Sequence, residues 1–142
     1  MKKYVAVTAA GLLLASACSD SSDSKADLTV RVSEWIFEPS AETVKSGDVT
    51  IMVNNVGTKE HELVVIKGSD PAAFEKKADG SVDEEKLAEA DKRGEVEGVL
   101  AASDKSATLA LEPGNYVIFC NLVDADGTSH FAKGMVSTLT VD

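Results

Sequence analysis

With 142 residues, 14 basic against 24 acidic side chains and a net charge of −10, the chain is long enough for one domain and too acidic to grip nucleic acid electrostatically. The same charge repels anionic lipid, so attachment to a membrane requires something other than charge. Two cysteines and two histidines are all that the sequence supplies for thiol or imidazole chemistry.

The N-terminus reads as a targeting segment. Lys2 and Lys3 are followed by an apolar run and then by small residues up to Cys18, the order of an export signal. The run is too short for a spanning helix. Its ending at a cysteine resembles a bacterial lipoprotein signal, which implies residues 1–17 as the signal and Cys18 as the lipidated first residue of the mature chain. Removing it takes away two lysines and no acids, so the mature chain is more acidic still. Residues 18–27, mostly Ser, Asp and Lys, form a polar tether. The domain is expected over 28–142.

Strand signals dominate that domain. Leu28, Val30 and Val32 alternate with polar residues, as do Val49, Ile51 and Val53 after a Ser46-Gly47-Asp48 turn. The stretch HELVVIK, His61 to Lys67, is an apolar run expected to be buried on both faces. The stretch from Lys67 to Gly98 is highly charged. There Asp70 and Pro71 can open a helical turn, and Ser81 with Glu84 matches a capping box for a short helix ending at Gly94. We expect this excursion to rest on an edge of the fold as a solvated face. Beyond it, SATLALEPGNYVIFC reads as a strand, a Pro113-Gly114-Asn115 turn and a second strand, and MVSTLTVD closes the chain. Short strands with turns between them predict an all-β sandwich or barrel.

His61 opens one strand and Cys120 ends another. His130 follows ten residues after Cys120, and Met135 five after that. With Cys18 lipidated, Cys120 has no intramolecular disulfide partner. Each of the four residues has an ordinary structural explanation alone. Together, at strand ends able to share one pole of a sandwich, they offer two imidazoles, a thiolate and a thioether, a set that suits copper better than structural zinc or the oxygen-seeking calcium and magnesium.

The segments from Trp35 to Val65 and from Glu112 to Val141 resemble the cupredoxins, the plastocyanin and azurin family. The resemblance implies a Greek-key β-sandwich and one type 1 copper held by His61, Cys120, His130 and Met135. The His-x4-Met spacing is the family's. The Cys-x9-His spacing is long, and we expect the added residues around Asp124 to Gly127 to bulge outward. Glu62 stands where plastocyanins and azurins often carry an Asn that ties the ligand loops together. Trp35, Phe37, Tyr116 and Phe119 are expected in the core.

The resemblance implies a one-electron carrier rather than an enzyme, exported and held to a membrane by Cys18, serving a redox protein partner of basic surface. His130 is expected to face solvent as the electron exit, rimmed by Leu122, Val123 and Phe131. Two other functions remain open: a carrier that delivers or buffers copper, and a metal-free sandwich used as a binding module.

Overall fold

The computed structural model describes residues 25–142. Cys18, the signal segment and most of the tether lie outside the described residues. Asp27, at the end of the expected tether, is already tied to the domain. Its amide donates to Thr50 O, and its carboxylate accepts from Thr50 N.

Among the described residues, nine strands build two facing sheets: β1 Leu28–Ser33, β2 Ile36–Pro39, β3 Thr43–Val44, β4 Gly47–Asn55, β5 His61–Lys67, β6 Lys92–Val99, β7 Asp104–Leu111, β8 Gly114–Phe119 and β9 Val136–Val141. One sheet has the order β2-β1-β4-β7, the other β3-β9-β8-β5-β6. The pairs β1–β4 and β3–β9 run parallel and the rest antiparallel. The expected all-β sandwich is therefore present. Alternation accounts for its inner faces: Leu28, Val30 and Val32 of β1, and Val49, Ile51 and Val53 of β4, are fully buried. They pack on Leu63, Val65, Tyr116, Ile118 and Leu139 of the opposite sheet.

The apolar run of β5 is buried on both faces, as expected. Leu63 and Val65 point into this core, whereas Val64 and Ile66 belong to a second cluster with Val82, Val117, Phe119 and Phe131. The charged excursion supplies the cover for that outer face. Val82 is fully buried, and Phe74 and Leu87 pack beside it. Most of the excursion thus covers the outer face of the five-stranded sheet, and only its last part lies along an edge.

The helix expected over Ser81 to Gly94 does not form. Asp70 does cap a single 3-10 turn at Pro71–Ala73, and two more such turns lie at Glu84–Lys86 and Glu89–Asp91. The capping box fails because its groups are already engaged. Asp79 takes both the amide and the hydroxyl of Ser81, and the Glu84 carboxylate accepts from Asn121 Nδ2. Leu87 is the one large apolar residue between Asp83 and Arg93, too little to bury a helix face. The end of the segment instead becomes β6, an edge strand on β5, and Gly94 lies within it at φ 131°.

Candidate metal centre

The chain brings several strand ends to one pole of the sandwich. Val32 of β1 pairs with Asn55 of β4, and His61 of β5 pairs with Val99 of β6. Cys120 directly follows β8, and Met135 directly precedes β9. The Cys120 amide donates to Met135 O, and the Met135 amide donates to His130 O. Three of the four expected ligands are therefore set by local backbone bonds in one hairpin, and His61 arrives from the neighbouring strand. All four are buried, His130 being 1% exposed and the others 0%.

The donor atoms of His61, Cys120 and His130 converge within 4.8 Å of one another. The two Nδ1 atoms are 3.2 Å apart, and Cys120 Sγ lies 3.3 Å from His130 Nδ1 and 4.0 Å from His61 Nδ1. A point equidistant from all three, in their plane, lies about 2.1 Å from each, within the roughly 2.0–2.3 Å of metal–nitrogen and metal–thiolate bonds. The triangle is thus the right size for one ion. Two imidazoles and a thiolate in a trigonal set are donors that suit copper. Met135 is fully buried, and its backbone bonds to Cys120 and His130.

The protonation states in the metal-free protein follow from burial. Loss of hydration, reinforced by the neighbouring His130, lowers His61 to about 4, so its ring is neutral at physiological pH. Burial likewise pushes the Cys120 thiol up to about 12, against hydrogen bonds that favour the thiolate. Metal binding at Cys120 must therefore displace a proton.

Further residues surround these donors, not all of them where the sequence led us to expect. His130 does not face solvent. Its Nε2 lies 3.2 Å from Asp124 Oδ1, and the Trp35 ring meets its ring edge-on with centroids 5.3 Å apart. Trp35 therefore covers a candidate ligand and is not simply core. It sits at φ 64° in the two-residue turn between the paired Ser33 and Ile36. That left-handed conformation costs a non-glycine residue about 1–2 kcal/mol. The expected apolar rim is mostly covered as well, because Phe131 is buried in the outer cluster, Leu122 packs on the core, and of the three only Val123 is exposed.

The long loop does not simply bulge outward. It folds into a small hairpin: Val123 bridges Ser129, the Asp124 amide donates to Thr128 O, and the His130 amide donates to Leu122 O. This turn carries the Asp124 carboxylate inward to His130. Asp124 Oδ2 also receives Lys59 Nζ at 2.6 Å. The Lys59 ammonium and then His130 hold the Asp124 carboxyl below its ordinary value.

Two side chains tie the loops together. Glu62 Oε1 accepts from the amide of Asn121, the residue after Cys120, at 3.1 Å. Glu62 thus links the strand of His61 to the hairpin of Cys120. Burial outweighs that bond, and three further glutamates add repulsion, so the Glu62 carboxyl rises to about 7. Asn55 anchors the loop before His61: its Nδ2 donates to Lys59 O, Val99 O and Leu100 O, and its Oδ1 accepts from Gly57 N. Its position at the end of a strand, one turn before a candidate ligand, was the only signal in the sequence.

Comparison with known proteins gives a consistent fold. No family model matches the chain, and no curated protein matches it in sequence. Among solved structures, it is similar to a dithionite-reduced auracyanin from the photosynthetic bacterium Roseiflexus castenholzii, with 21% identity, a TM-score of 0.58, and coverage of 80% of this chain and 94% of that one. It is also similar to auracyanin B, with 20% identity, a TM-score of 0.52, and coverage of 80% and 86% respectively. These likenesses show the cupredoxin fold.

Proposed function

We propose that this cupredoxin-fold chain binds one type 1 copper ion and works as a one-electron carrier outside the cytoplasm. The observation that carries the reading is the buried triangle of His61 Nδ1, Cys120 Sγ and His130 Nδ1, sized for a single ion. His61, Cys120 and His130 hold the copper, and Met135 is the weak fourth donor. When bound, copper supplies a centre that changes charge by one electron. The protein supplies a donor set already assembled on strand ends, so little has to move when the charge changes. Both histidines of the sequence stand in this cluster, which leaves none for a second catalytic copper. The auracyanin of similar fold was studied in a dithionite-reduced form, as suits a redox protein.

Burial favours an electron carrier over a copper-delivery protein. Handing the ion on requires an acceptor to reach the donors, and here all four candidate ligands are shielded from solvent. The partner is a redox protein, and the −10 charge of the chain favours one of basic surface. We further propose residues 1–17 as an export signal, 18–27 as the lipidated Cys18 with its tether, and 28–142 as the copper domain. No helix among the described residues is long and apolar enough to cross a membrane.

The test is to load the metal-free protein with copper and cycle it between oxidised and reduced states beside a chelating acceptor protein. An electron carrier takes up one equivalent and keeps it through repeated cycles. Transfer of the ion to the acceptor on reduction would favour the delivery function. No uptake at all would leave a metal-free binding module.

A further inference from the structure

Each candidate histidine ligand presents Nδ1 to the triangle and turns Nε2 away from it, and a carboxylate stands beyond each Nε2. For His130 the contact is direct, Asp124 Oδ1 at 3.2 Å. For His61, Nε2 is buried without a hydrogen-bond partner, and Glu34 Oε1 lies 3.9 Å away. That separation is longer than a hydrogen bond, yet short for a carboxylate and a buried N–H.

Glu34 is fixed at this place by the chain around it. Its Oε1 accepts from the amides of Thr58 and Lys59, both at 2.8 Å. Burial works against its charge, but these amide donors and its own hold the Glu34 carboxyl below its ordinary value. Gly57 leaves the room that the carboxylate fills, since a Cβ there would lie 2.9 Å from both carboxylate oxygens. One residue links the two carboxylates: Lys59 gives its amide to Glu34 and its ammonium to Asp124.

We propose that Glu34 and Asp124 are positioning residues, one for each histidine: Asp124 accepts the Nε2 proton of His130, and the charge of Glu34, without a hydrogen bond, favours a proton on His61 Nε2, so that each Nδ1 lone pair faces the triangle. The proposal rests on the reading of His61 and His130 as copper ligands. A carboxylate that accepts from the outer nitrogen of a metal-bound imidazole fixes its ring and makes it a stronger donor. The direct bond at His130 makes Asp124 the stronger of the two. It also gives the long Cys120–His130 spacing a purpose, because the added residues form the turn that delivers Asp124.

The test begins without copper. In the metal-free full chain at about pH 8, an ordinary imidazole is neutral, and proton–nitrogen NMR shows which ring nitrogen carries hydrogen. The expected result is an Nε2–H on both rings, with the His130 proton shifted downfield and protected from exchange. Asp124→Ala removes that protection at His130 and leaves His61 as it was, while Asp124→Asn, which keeps an acceptor oxygen, restores it. Glu34→Ala moves the His61 signal, and so does Glu34→Gln, which removes the charge. A proton on Nδ1 of either ring in the unaltered protein, or signals indifferent to both alanine variants, would overturn the assignment. With copper, affinity for Cu(II) should fall about 10–100-fold in Asp124→Ala, and by less in Glu34→Ala. Unchanged affinity in Asp124→Ala would overturn the positioning role. If the unaltered chain takes no copper, the proposed function fails, and the proton signals alone decide whether the carboxylates hold the two rings.

Discussion

At the scale of single residues, the site combines strong donors with side chains that restrain them. Met135 is the proposed weak fourth ligand, a thioether beside two imidazoles and a thiolate. Met135→Leu should leave copper bound and raise the reduction potential, because loss of a donor disfavours Cu(II) more than Cu(I); voltammetry of the two forms checks this. Glu62 gives a pH prediction in the metal-free protein. Its carboxyl rises from an ordinary 4.5 to about 7 in the fold, so between those values the folded state holds a proton that the unfolded state has released. The stability from this group is complete below pH 4.5 and is lost as pH rises through 7. Glu62→Gln keeps an acceptor for the Asn121 amide and cannot ionise. Its stability should match the unaltered protein near pH 4.5 and exceed it by about 1–3 kcal/mol at pH 8, measured by urea unfolding. His61 titrates the opposite way in both proteins, so it cancels from the comparison. Equal stability at both pH values would show that Glu62 is not held protonated.

At the scale of elements, the loop between Cys120 and His130 carries the sharpest test. Residues 124–127 were expected to bulge outward from the site. The structure places Asp124 on His130 Nε2, so deleting Asp124 to Gly127 should preserve the sandwich and weaken copper binding by about tenfold or more. Circular dichroism and copper titration of the deleted form measure the two effects separately, and full-strength binding would return the loop to a passive surface feature. Strands and loops differed in how much of them could be read from the sequence. Val49, Ile51 and Val53 announce a half-buried strand by alternation, and HELVVIK announces a doubly buried one by its continuity. The convergence of His61, Cys120 and His130 was also legible, because residues at or near strand ends of one pole need little more than correct topology to meet. The roles of Glu34, Trp35 and Asp124 were not. A Glu-Trp pair in a hairpin turn has no periodic signature, and its partners Thr58, Lys59 and His130 are distant in sequence. The capping box at Ser81 and Glu84 failed to one near and one distant competitor: Asp79, two residues before, takes Ser81, and Asn121, far along the chain, donates to Glu84.

At the scale of the whole molecule, an acidic β-sandwich carries at one pole a buried triangle of donors, behind a sequence whose first residues have the order of an export signal. The proposed anchor at Cys18 is separable from the copper domain. Cys18→Ser should release the protein from the membrane fraction and leave its visible spectrum unchanged. A membrane-bound Cys18→Ser protein would contradict the lipid anchor. The central claim is that Cys120, His61 and His130 hold one redox-active copper, and the most direct measurement is the visible and EPR spectrum of the copper-loaded protein beside that of Cys120→Ser. The account predicts an intense thiolate-to-copper charge-transfer band in the first that disappears in the second. An intense band that survives in Cys120→Ser, or its absence from the unaltered protein under full copper loading, would contradict it.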